Sequence, residues 1–328
     1  SLTRENGAFN FVAGTEGLEL NVDSAVRTIS DYLENSWTSD NTEVLNLETQ
    51  VTEPEGSAEE LANIKDLLGS FTTSFSTSGS NRCKNVSSGA SHINGTVLYP
   101  GEEFSAYETV SPFTEANGYA MAGSYLNGEV VDSMGGGICQ VSTTLYNAVL
   151  RAELNVTERS PHSMTVHYVD LSEDAAIAGT YKDFKFVNST EYPIYIEGYT
   201  TSDKKITFNI YGKETRDKNR TISFESQMVS ETPATTILQE DAGQGIGYKA
   251  VSSKGSSGYV AELYKIVKVN GVETDRIKVN KSTYKGTNRV VTYGTAGDPT
   301  LSENLRAAIA AQDEALADAN IAAAVPAQ

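Results

Sequence analysis

The sequence predicts a multidomain α+β protein, and three features of its 328 residues indicate this class. The length corresponds to two or three domains of ordinary size. Apolar residues recur at helical spacing in several segments of the first half, whereas alternating apolar and polar residues prevail in the second half. Asn270-Gly271 lies between two alternating segments and is a strong signal for a type I′ hairpin turn.

The first 70 residues are expected to form a small α+β domain. A helix capped by Asp23 or Ser24 is predicted because apolar residues follow at helical spacing. The segment Ser57-Ala58-Glu59-Glu60 fits a capping box. We expect it to begin a second helix, whose apolar face is formed by Leu61, Ile64, Leu67 and Leu68.

Residues 71–213 are expected to form a central α+β domain with mostly antiparallel strands. Alternation predicts a strand over 71–77, and a shared apolar face predicts a helix over 82–93. Val141, Leu145 and Ala148 lie on one face of a further, buried helix that begins near Cys139. After it, alternating segments predict several strands, the first over 164–168.

Residues 214–295 are expected to form an all-β module, because alternating segments flank the predicted hairpin turn and continue to Tyr293. This part contains neither cysteine nor histidine, so we interpret it as a binding or spacer module. Residues 296–328 are rich in alanine and acidic residues, and we expect a helical or disordered tail there.

The charge balance excludes some classes of partner. The chain has 43 acidic and 25 basic residues and a formal net charge of −18. Nucleic acid and anionic lipid surfaces both require clustered Lys and Arg, so neither is an expected partner. Two cysteines are too few for a disulfide scaffold, although a single bridge between Cys83 and Cys139 stays open.

The most informative segment is Gly135-Gly136-Gly137-Ile138-Cys139-Gln140-Val141-Ser142. Three glycines allow a tight turn, and the predicted helix starts at the cysteine. The unpaired N–H groups and the dipole of a helix N-terminus favour a thiolate, so this pattern predicts a nucleophilic role for Cys139. A buried structural cysteine is the alternative interpretation.

At this segment the chain resembles the VanW family of bacterial envelope proteins. Other segments match the family in the same order: Asn81-Arg82, Leu98-Tyr99-Pro100-Gly101-Glu102, Gly118-Tyr119, Glu158-Arg159, Pro161-His162-Ser163, Asp174-Ala175 and Tyr181-Lys182-Asp183-Phe184-Lys185-Phe186. The resemblance covers about residues 71–213. Ser160 stands where a second histidine is expected, which weakens any mechanism that needs two histidines there.

The flanking units have resemblances of their own. Residues 1–70 look like the peptidoglycan-binding domain that often precedes the VanW core, and residues 214–295 are similar to a five-glycine wall-associated module. The family is named after a vancomycin-resistance cluster, and some members are regarded as L,D-transpeptidases of the cell wall. The resemblance therefore implies acyl transfer on peptidoglycan stem peptides, or carboxypeptidase activity if water is the acceptor. We expect an extracellular, wall-associated protein with an N-terminal membrane anchor upstream of residue 1.

A thiol transpeptidase needs a base beside its thiolate and a group that orients the base. We predict His162 as the partner of Cys139, because a proline precedes it and a predicted strand follows, so the imidazole would be held rigidly. The other two histidines are interpreted as surface residues. Asp183 and Asp174 are the candidates for orienting the imidazole, and we place Asp183 first.

The backbone around the cysteine is expected to bind substrate. Backbone N–H groups of Cys139, Gln140 or the glycine loop are candidate oxyanion donors. Gly136 and Gly137 would let a bulky peptide approach the main chain.

Side chains that recognise a stem peptide are expected nearby. An arginine fork suits the free carboxylates of such a peptide, so Arg82 and Arg159 are candidates, with a structural ion pair as the alternative for each. Tyr168 is a candidate for the wall of the cleft, with a core position as its alternative.

No metal or cofactor is expected, since the sequence lacks close ligand spacings and nucleotide-binding fingerprints. A non-catalytic peptidoglycan-binding envelope protein with a structural cysteine is the alternative to the enzyme. The oligomeric state is left open by the sequence.

Overall fold

The computed structural model describes residues 2–5, 7–11, 16–39, 44–52, 56–126 and 129–324. It confirms the α+β class, with helices and mostly antiparallel strands. The N-terminal elements are, in chain order, β1 (Leu2–Glu5), β2 (Ala8–Phe11), β3 (Gly17–Leu20), α1 (Val22–Asn35), β4 (Thr49–Thr52) and α2 (Ala58–Leu61). Strand β1 pairs with β2 and β3 pairs with β4, each in antiparallel register.

The central unit is built on a four-stranded antiparallel sheet. Its elements are β5 (Asp66–Ser74), α3 (Ser80–Ile93), β6 (Thr96–Leu98), β7 (Glu103–Ser105), α4 (Ala106–Val110), β8 (Met121–Leu126), β9 (Glu129–Met134), α5 (Ile138–Arg151), β10 (Asn155–Glu158), β11 (Lys185–Val187), β12 (Ile194–Thr200) and β13 (Lys205–Gly212). The sheet has the strand order β5-β13-β12-β6, and α3 and α5 pack against it. Fully buried apolar residues join these helices to the sheet, among them Val86, Leu145, Ile196 and Phe208.

The cap of the first helix differs from the sequence prediction. Helix α1 is capped by Asn21, whose side-chain oxygen accepts the N–H of Ser24 at 3.0 Å, rather than by Asp23 or Ser24. An asparagine one position before the helix satisfies an N–H group that has no partner within the helix, as aspartate or serine would.

The predicted second helix is one turn long. The Ser57 hydroxyl accepts the N–H of Glu60 at 3.1 Å, as the capping box predicts, but α2 ends at Leu61. Leu67 and Leu68 belong instead to β5, which pairs with β13 along the whole of that strand. Because β5 begins at Asp66, the central sheet starts ahead of the predicted domain boundary at residue 70.

The predicted strand over 164–168 is not formed, and residues 159–170 contain neither helix nor strand. Side-chain hydrogen bonds hold this segment in place, instead of the backbone hydrogen bonds between paired strands. Arg159 Nε donates to the backbone oxygen of Asp174 at 2.7 Å, and the His162 N–H donates to Asp174 Oδ2 at 2.7 Å.

The glycine turn before α5 has the geometry that its sequence predicts. Gly137 is the N-cap with φ of 107°, in the left-handed region that favours glycine. A Cβ atom on Gly136 would lie 2.2 Å from the backbone oxygen of Ala122, so this position packs against β8 too closely for any side chain. Nearly all residues of α5 are buried, as predicted from its apolar pattern.

The C-terminal region consists of two three-stranded sheets and two helices. Its elements are β14 (Arg220–Thr232), β15 (Thr236–Gly245), β16 (Lys249–Ser256), β17 (Gly258–Val269), β18 (Val272–Tyr284), β19 (Thr287–Ala296), α6 (Pro299–Ala310) and α7 (Glu314–Ala324). The strand orders are β14-β17-β18 and β15-β19-β16, in which β15 and β19 run parallel. Asn270 and Gly271 have φ of 53° and 81°, which agrees with the predicted type I′ turn between β17 and β18.

The C-terminal tail is helical as far as it is described. Leu305 and Ala308 of α6 are fully buried against Leu238 and Tyr293 of the neighbouring sheet. The tail is therefore packed onto the all-β region. Of the helices in the described ranges, none has both the length and the apolar composition required to cross a bilayer.

Candidate functional site

Cys139 lies in the first turn of α5, directly after the glycine turn. Its thiol is half-buried and donates to the backbone oxygen of Ile177 at 3.3 Å. Both Cys139 and Cys83 are free thiols, so the bridge left open by the sequence is not formed. Cys83 instead donates to the backbone oxygen of Ser78 at 3.5 Å.

His162 is the imidazole that contacts the thiol. It forms a side-chain hydrogen bond with Cys139. Its Nδ1 atom lies 2.7 Å from Oδ2 of Asp174, so Nε2 is the ring nitrogen left for the sulfur. The order thiol, imidazole, carboxylate is the arrangement of a nucleophile, its base and the group that orients the base.

The carboxylate in this arrangement is Asp174, and the sequence preference for Asp183 needs correction. Asp183 accepts hydrogen bonds from the Ser105 hydroxyl at 2.5 Å and from the backbone N–H of Tyr107 at 2.8 Å. It fixes the start of α4 and does not contact His162. The sequence offered both aspartates as candidates. Within the described chain, the carboxylate that reaches the imidazole is that of Asp174, in the loop before Ala175.

Electrostatics favour a charged thiolate–imidazolium pair. Burial raises the pKa of the Cys139 thiol, but the hydrogen bond and positive charge of His162 outweigh this, and the net pKa is lowered. Burial likewise lowers the pKa of His162, yet its contacts with Asp174 and Cys139 raise it to about 9. Burial also raises the pKa of Asp174, but His162 and Arg159 together leave it lowered. These directions favour a negative sulfur beside a positive ring over a neutral pair.

Arg159 has the structural role that was the alternative in the sequence analysis. Its Nη2 atom lies 3.0 Å from Asp174 Oδ1, and its side chain is 6% exposed. It also donates to the hydroxyl of Ser282 at 2.9 Å. Arg159 is thus a buried partner of Asp174.

Arg82 lies in a different environment. It lines a groove of about 970 Å³, together with Gln140, Tyr168 and His167. Its guanidinium donates to the hydroxyl of Ser78 at 2.6 Å and to Oε1 of Gln140 at 2.9 Å. Within the described part of the chain, Arg82 has no carboxylate partner and the groove has no acidic lining residue. In so acidic a chain, a guanidinium without a counterion indicates a site for an anionic group.

Gln140 positions Arg82 rather than facing a ligand. It is 1% exposed, and its Nε2 atom donates to the Thr73 hydroxyl at 3.0 Å and the Ser74 backbone oxygen at 2.9 Å. These two contacts leave Oε1 to accept from Arg82. A buried amide with all its partners in place is rigid, so the guanidinium is held in a fixed direction.

Tyr168 connects the groove with the thiol. Its side chain lines the groove, its hydroxyl hydrogen-bonds Thr143, and burial followed by the charge of Cys139 raises the pKa of Tyr168 far above its ordinary value. Cys139 and His162 do not line the groove themselves, as far as the described residues form it. The thiol therefore lies next to the groove. Gln140 follows Cys139 in the sequence, and Tyr168 is the groove residue whose pKa the charge of Cys139 raises.

Of the oxyanion donors predicted at Cys139, Gln140 or the glycine loop, the start of α5 leaves the backbone N–H of Cys139 as a candidate. The N–H of Gln140 donates to the backbone oxygen of Gly137 at 3.0 Å and is occupied. Cys139 is at the second helical position, where an N–H group has no partner within the helix. Gly136 and Gly137 serve close packing of the turn, since a Cβ atom on Gly137 would lie 2.8 Å from Cγ of Arg82.

Two family models match the chain. One described as "VanW like protein" matches residues 81–211, and one described as "G5 domain" matches residues 225–296. These matches confirm the resemblances of the central and C-terminal units. The first range contains Cys139, His162 and Asp174.

Two curated relatives are similar to the central part. "Uncharacterized protein YoaR" of Bacillus subtilis is 40% identical over 144 residues, which cover 44% of this chain and 48% of that protein. "Vancomycin B-type resistance protein VanW" of Enterococcus faecalis is 29% identical over 138 residues, which cover 40% of this chain and 49% of that protein. The chain spans about half the length of the curated relatives it matches.

Two solved structures are similar to the C-terminal part. "IgA1 Protease G5 domain structure" is 24% identical, covers 26% of this chain and all of its own, and has a TM-score of 0.20. "Crystal structure of HP0197-G5" is 20% identical, covers 23% of this chain and 97% of its own, and has a TM-score of 0.16.

Proposed function

Starting from a chain that contains a VanW-like domain followed by a G5 domain, we propose that it acts in the bacterial cell wall as a cysteine-dependent L,D-transpeptidase. The combination of these two domains supports a wall-associated, peptidoglycan-related role. The observation that carries the catalytic part is the contact series Cys139, His162, Asp174 beside a groove that contains Arg82, which has no carboxylate partner among the described residues.

In the first step, the Cys139 thiolate attacks the carbonyl carbon of the amide bond after the third residue of a donor stem tetrapeptide. The charge that develops on the carbonyl oxygen faces the first turn of α5, where the Cys139 N–H is available. The C–N bond breaks, and the leaving D-alanine amine takes a proton from the His162 imidazolium. A thioester between Cys139 and the shortened stem remains.

In the second step, neutral His162 accepts a proton from an amine of a neighbouring stem, which attacks the thioester carbonyl. The C–S bond breaks, the thiolate returns, and a cross-link has formed. Water in place of the amine gives a carboxypeptidase. Asp174 keeps the imidazole in the tautomer and orientation that both steps require.

Arg82 supplies the recognition of the stem. A guanidinium fixed by Gln140 and lacking a carboxylate partner among the described residues suits a free carboxylate of the peptide. The absence of acidic residues from the described groove lining avoids repulsion of that carboxylate in spite of the net charge of −18.

The test is incubation with a purified disaccharide tetrapeptide, followed by mass spectrometry for released D-alanine and for the thioester. We expect release by the wild type, retention of release in Cys83→Ala and loss in Cys139→Ala. A carbapenem should add its mass to the same two active proteins and leave Cys139→Ala unmodified. Wild-type protein that gives neither product nor adduct would overturn the proposal.

A non-catalytic wall-binding protein is the second candidate, because the described groove is formed without Cys139 or His162 among its lining residues. It predicts retention on purified peptidoglycan that depends on Arg82 and is the same in Cys139→Ala. Retention without product or carbapenem adduct would favour this candidate.

A further inference from the structure

The loop that carries Asp174 is held by the C-terminal module. The N–H of Ser172 donates to the hydroxyl of Tyr284 at 2.7 Å, and the Ser172 hydroxyl donates to the backbone oxygen of Ala261 at 2.9 Å. Its backbone oxygen accepts from Asn280 Nδ2 at 3.1 Å. The N–H, hydroxyl and carbonyl of Ser172 thus each bond to a residue of β17 or β18.

Ser172 also has a backbone conformation that needs such support. Its φ is 68°, in the left-handed region that residues other than glycine rarely adopt, and the residue is completely buried. Backbone conformations of this kind persist where surrounding contacts over-determine them. Here those contacts come mainly from another domain of the chain.

Strand β18 also contacts the carboxylate itself. The Tyr284 hydroxyl donates to Asp174 Oδ1 at 2.5 Å, although the two residues are 110 positions apart in the sequence. Burial first, and the negative charge of Asp174 second, raise the pKa of Tyr284 to about 12, so this hydroxyl stays a donor at neutral pH.

Arg159, the second group that contacts Oδ1, also bonds to a residue of β18. Arg159 Nη2 lies 3.0 Å from this oxygen, while Arg159 Nη1 donates to the hydroxyl of Ser282. Oδ2, by contrast, accepts from His162, through both the backbone N–H and Nδ1. One oxygen of Asp174 therefore faces the imidazole, and the other is fixed by the C-terminal module or by a residue bonded to it.

We propose that β18 of the G5 domain is a structural part of the candidate active centre, in which Tyr284 positions Asp174 and, through it, His162. Tyr284 is a positioning residue, since its hydroxyl meets the carboxylate and not the thiol. The inference rests on the proposed function in that it assigns a role to the same Cys139–His162–Asp174 series. It goes beyond that function because a domain outside the VanW-like match completes the centre.

The test compares Tyr284→Phe with Tyr264→Phe in the full chain. Both changes remove one hydroxyl that donates to a carboxylate of this region, since Tyr264 donates to Glu262 at 2.6 Å. The readout is the rate of Cys139 alkylation by iodoacetamide against pH in a Cys83→Ala background, which requires no wall substrate. Unfolding in urea is measured alongside it.

We expect Tyr284→Phe to slow alkylation at neutral pH by about tenfold and to move the curve to higher pH, because Asp174 is then fixed less firmly against His162. Tyr264→Phe should leave the curve unchanged. In an Asp174→Asn background, Tyr284→Phe should have no further effect, because Tyr284 acts through that carboxylate.

The two proposals fail in different ways. If the alkylation curve of the wild type is identical to that of an ordinary thiol, Cys139 is not an activated nucleophile and the proposed function fails. The wild-type curve could instead be shifted to low pH and remain there in Tyr284→Phe, with the variant folded as judged by urea unfolding. That result would overturn only the positioning role of Tyr284. An equal effect of Tyr284→Phe with and without Asp174 would also overturn it.

Discussion

One carboxylate oxygen, Oδ2 of Asp174, accepts both the backbone N–H and Nδ1 of His162, each at 2.7 Å. The two contacts fix the main chain and the ring of the same residue. The imidazole therefore has little freedom to rotate away from Cys139.

The first prediction concerns pH. Acylation requires protonated His162, whose pKa is raised to about 9, so acyl transfer to a stem peptide should fall as the pH rises through about 9. Alkylation by iodoacetamide requires only the thiolate and should not fall in that range. Both rates are measured in Cys83→Ala protein from about pH 5 to about pH 10, which covers the ordinary and the raised titration of a histidine.

His162→Gln provides the control for this profile. It removes the positive charge that lowers the pKa of Cys139 and leaves the effect of burial uncompensated, so the alkylation curve should move up to the ordinary thiol range, about 8.5, or above it. An unchanged curve in His162→Gln would contradict the assigned ion pair.

The second prediction distinguishes the two aspartates. Asp174→Asn should lower acyl transfer by about 10⁴-fold, because the asparagine no longer fixes the productive tautomer of His162. It should also destabilise the protein by about 3 kcal/mol, since Arg159 is left buried without its counterion. The measurements are D-alanine release and urea unfolding.

Asp183→Asn is the matched change at the aspartate that the sequence analysis placed first as the partner of the imidazole. It disturbs the contacts with Ser105 and Tyr107, so a loss of about 1–3 kcal/mol in stability is expected. The pH profile of alkylation should stay that of the wild type. The assignment of Asp174 fails if the effects of the two variants on that profile are exchanged.

The third prediction concerns substrate recognition. Arg82→Gln should raise KM for a stem peptide with free carboxylates by about 10- to 100-fold, because a charge-assisted pair is lost. The effect should shrink for the same peptide with amidated carboxylates. Lys204→Gln is the control, since Lys204 donates to the backbone oxygen of Ser78 at 2.9 Å, close to Arg82, yet is separate from Gln140. Equal losses in both variants would indicate general electrostatics instead of a specific site.

The fourth prediction concerns the contact between the central and C-terminal domains. Glu153, which follows α5, accepts from Lys265 of β17 at 3.0 Å and from Arg220 of β14 at 2.7 Å. Burial raises the pKa of Glu153, but these cations lower it to about 2. Because the folded pKa lies below the unfolded one, the stabilisation is complete above about pH 4.5 and is lost as the pH falls through about 2.

Glu153→Gln should therefore reduce the free energy of unfolding by roughly 2 kcal/mol at neutral pH, a value below the full effect of the pKa shift because water screens part of the interaction. The difference from wild type should vanish near pH 2. Glu225→Gln breaks an exposed ion pair with Arg276, and only a marginal change in stability is expected from it. A difference for Glu153→Gln that is constant with pH would refute the linkage.

Local signals in the sequence were enough for the fold class and for the start of α5. Helical periodicity, the glycine turn and the Asn270-Gly271 hairpin depend on neighbours within a few residues, and the structure agrees with each of them. The extent of the second helix and the strand over 164–168 were wrong, because β5 pairs with β13 and because side-chain contacts of Arg159 and Asp174 hold the later segment.

The same distinction between local signals and long-range contacts applies to the candidate site. Neighbouring residues were enough to place Cys139 in the first turn of a buried helix after a glycine turn, since backbone φ values and apolar spacing depend on the local sequence. Long-range packing, in contrast, brings Asp174 rather than Asp183 to His162, buries Arg159 while Arg82 faces a groove, and places the Tyr284 hydroxyl on the carboxylate. The physical reason is that these contacts join side chains that lie up to 110 residues apart in the sequence. No local pattern encodes which of two similar residues the packing will bring to the site.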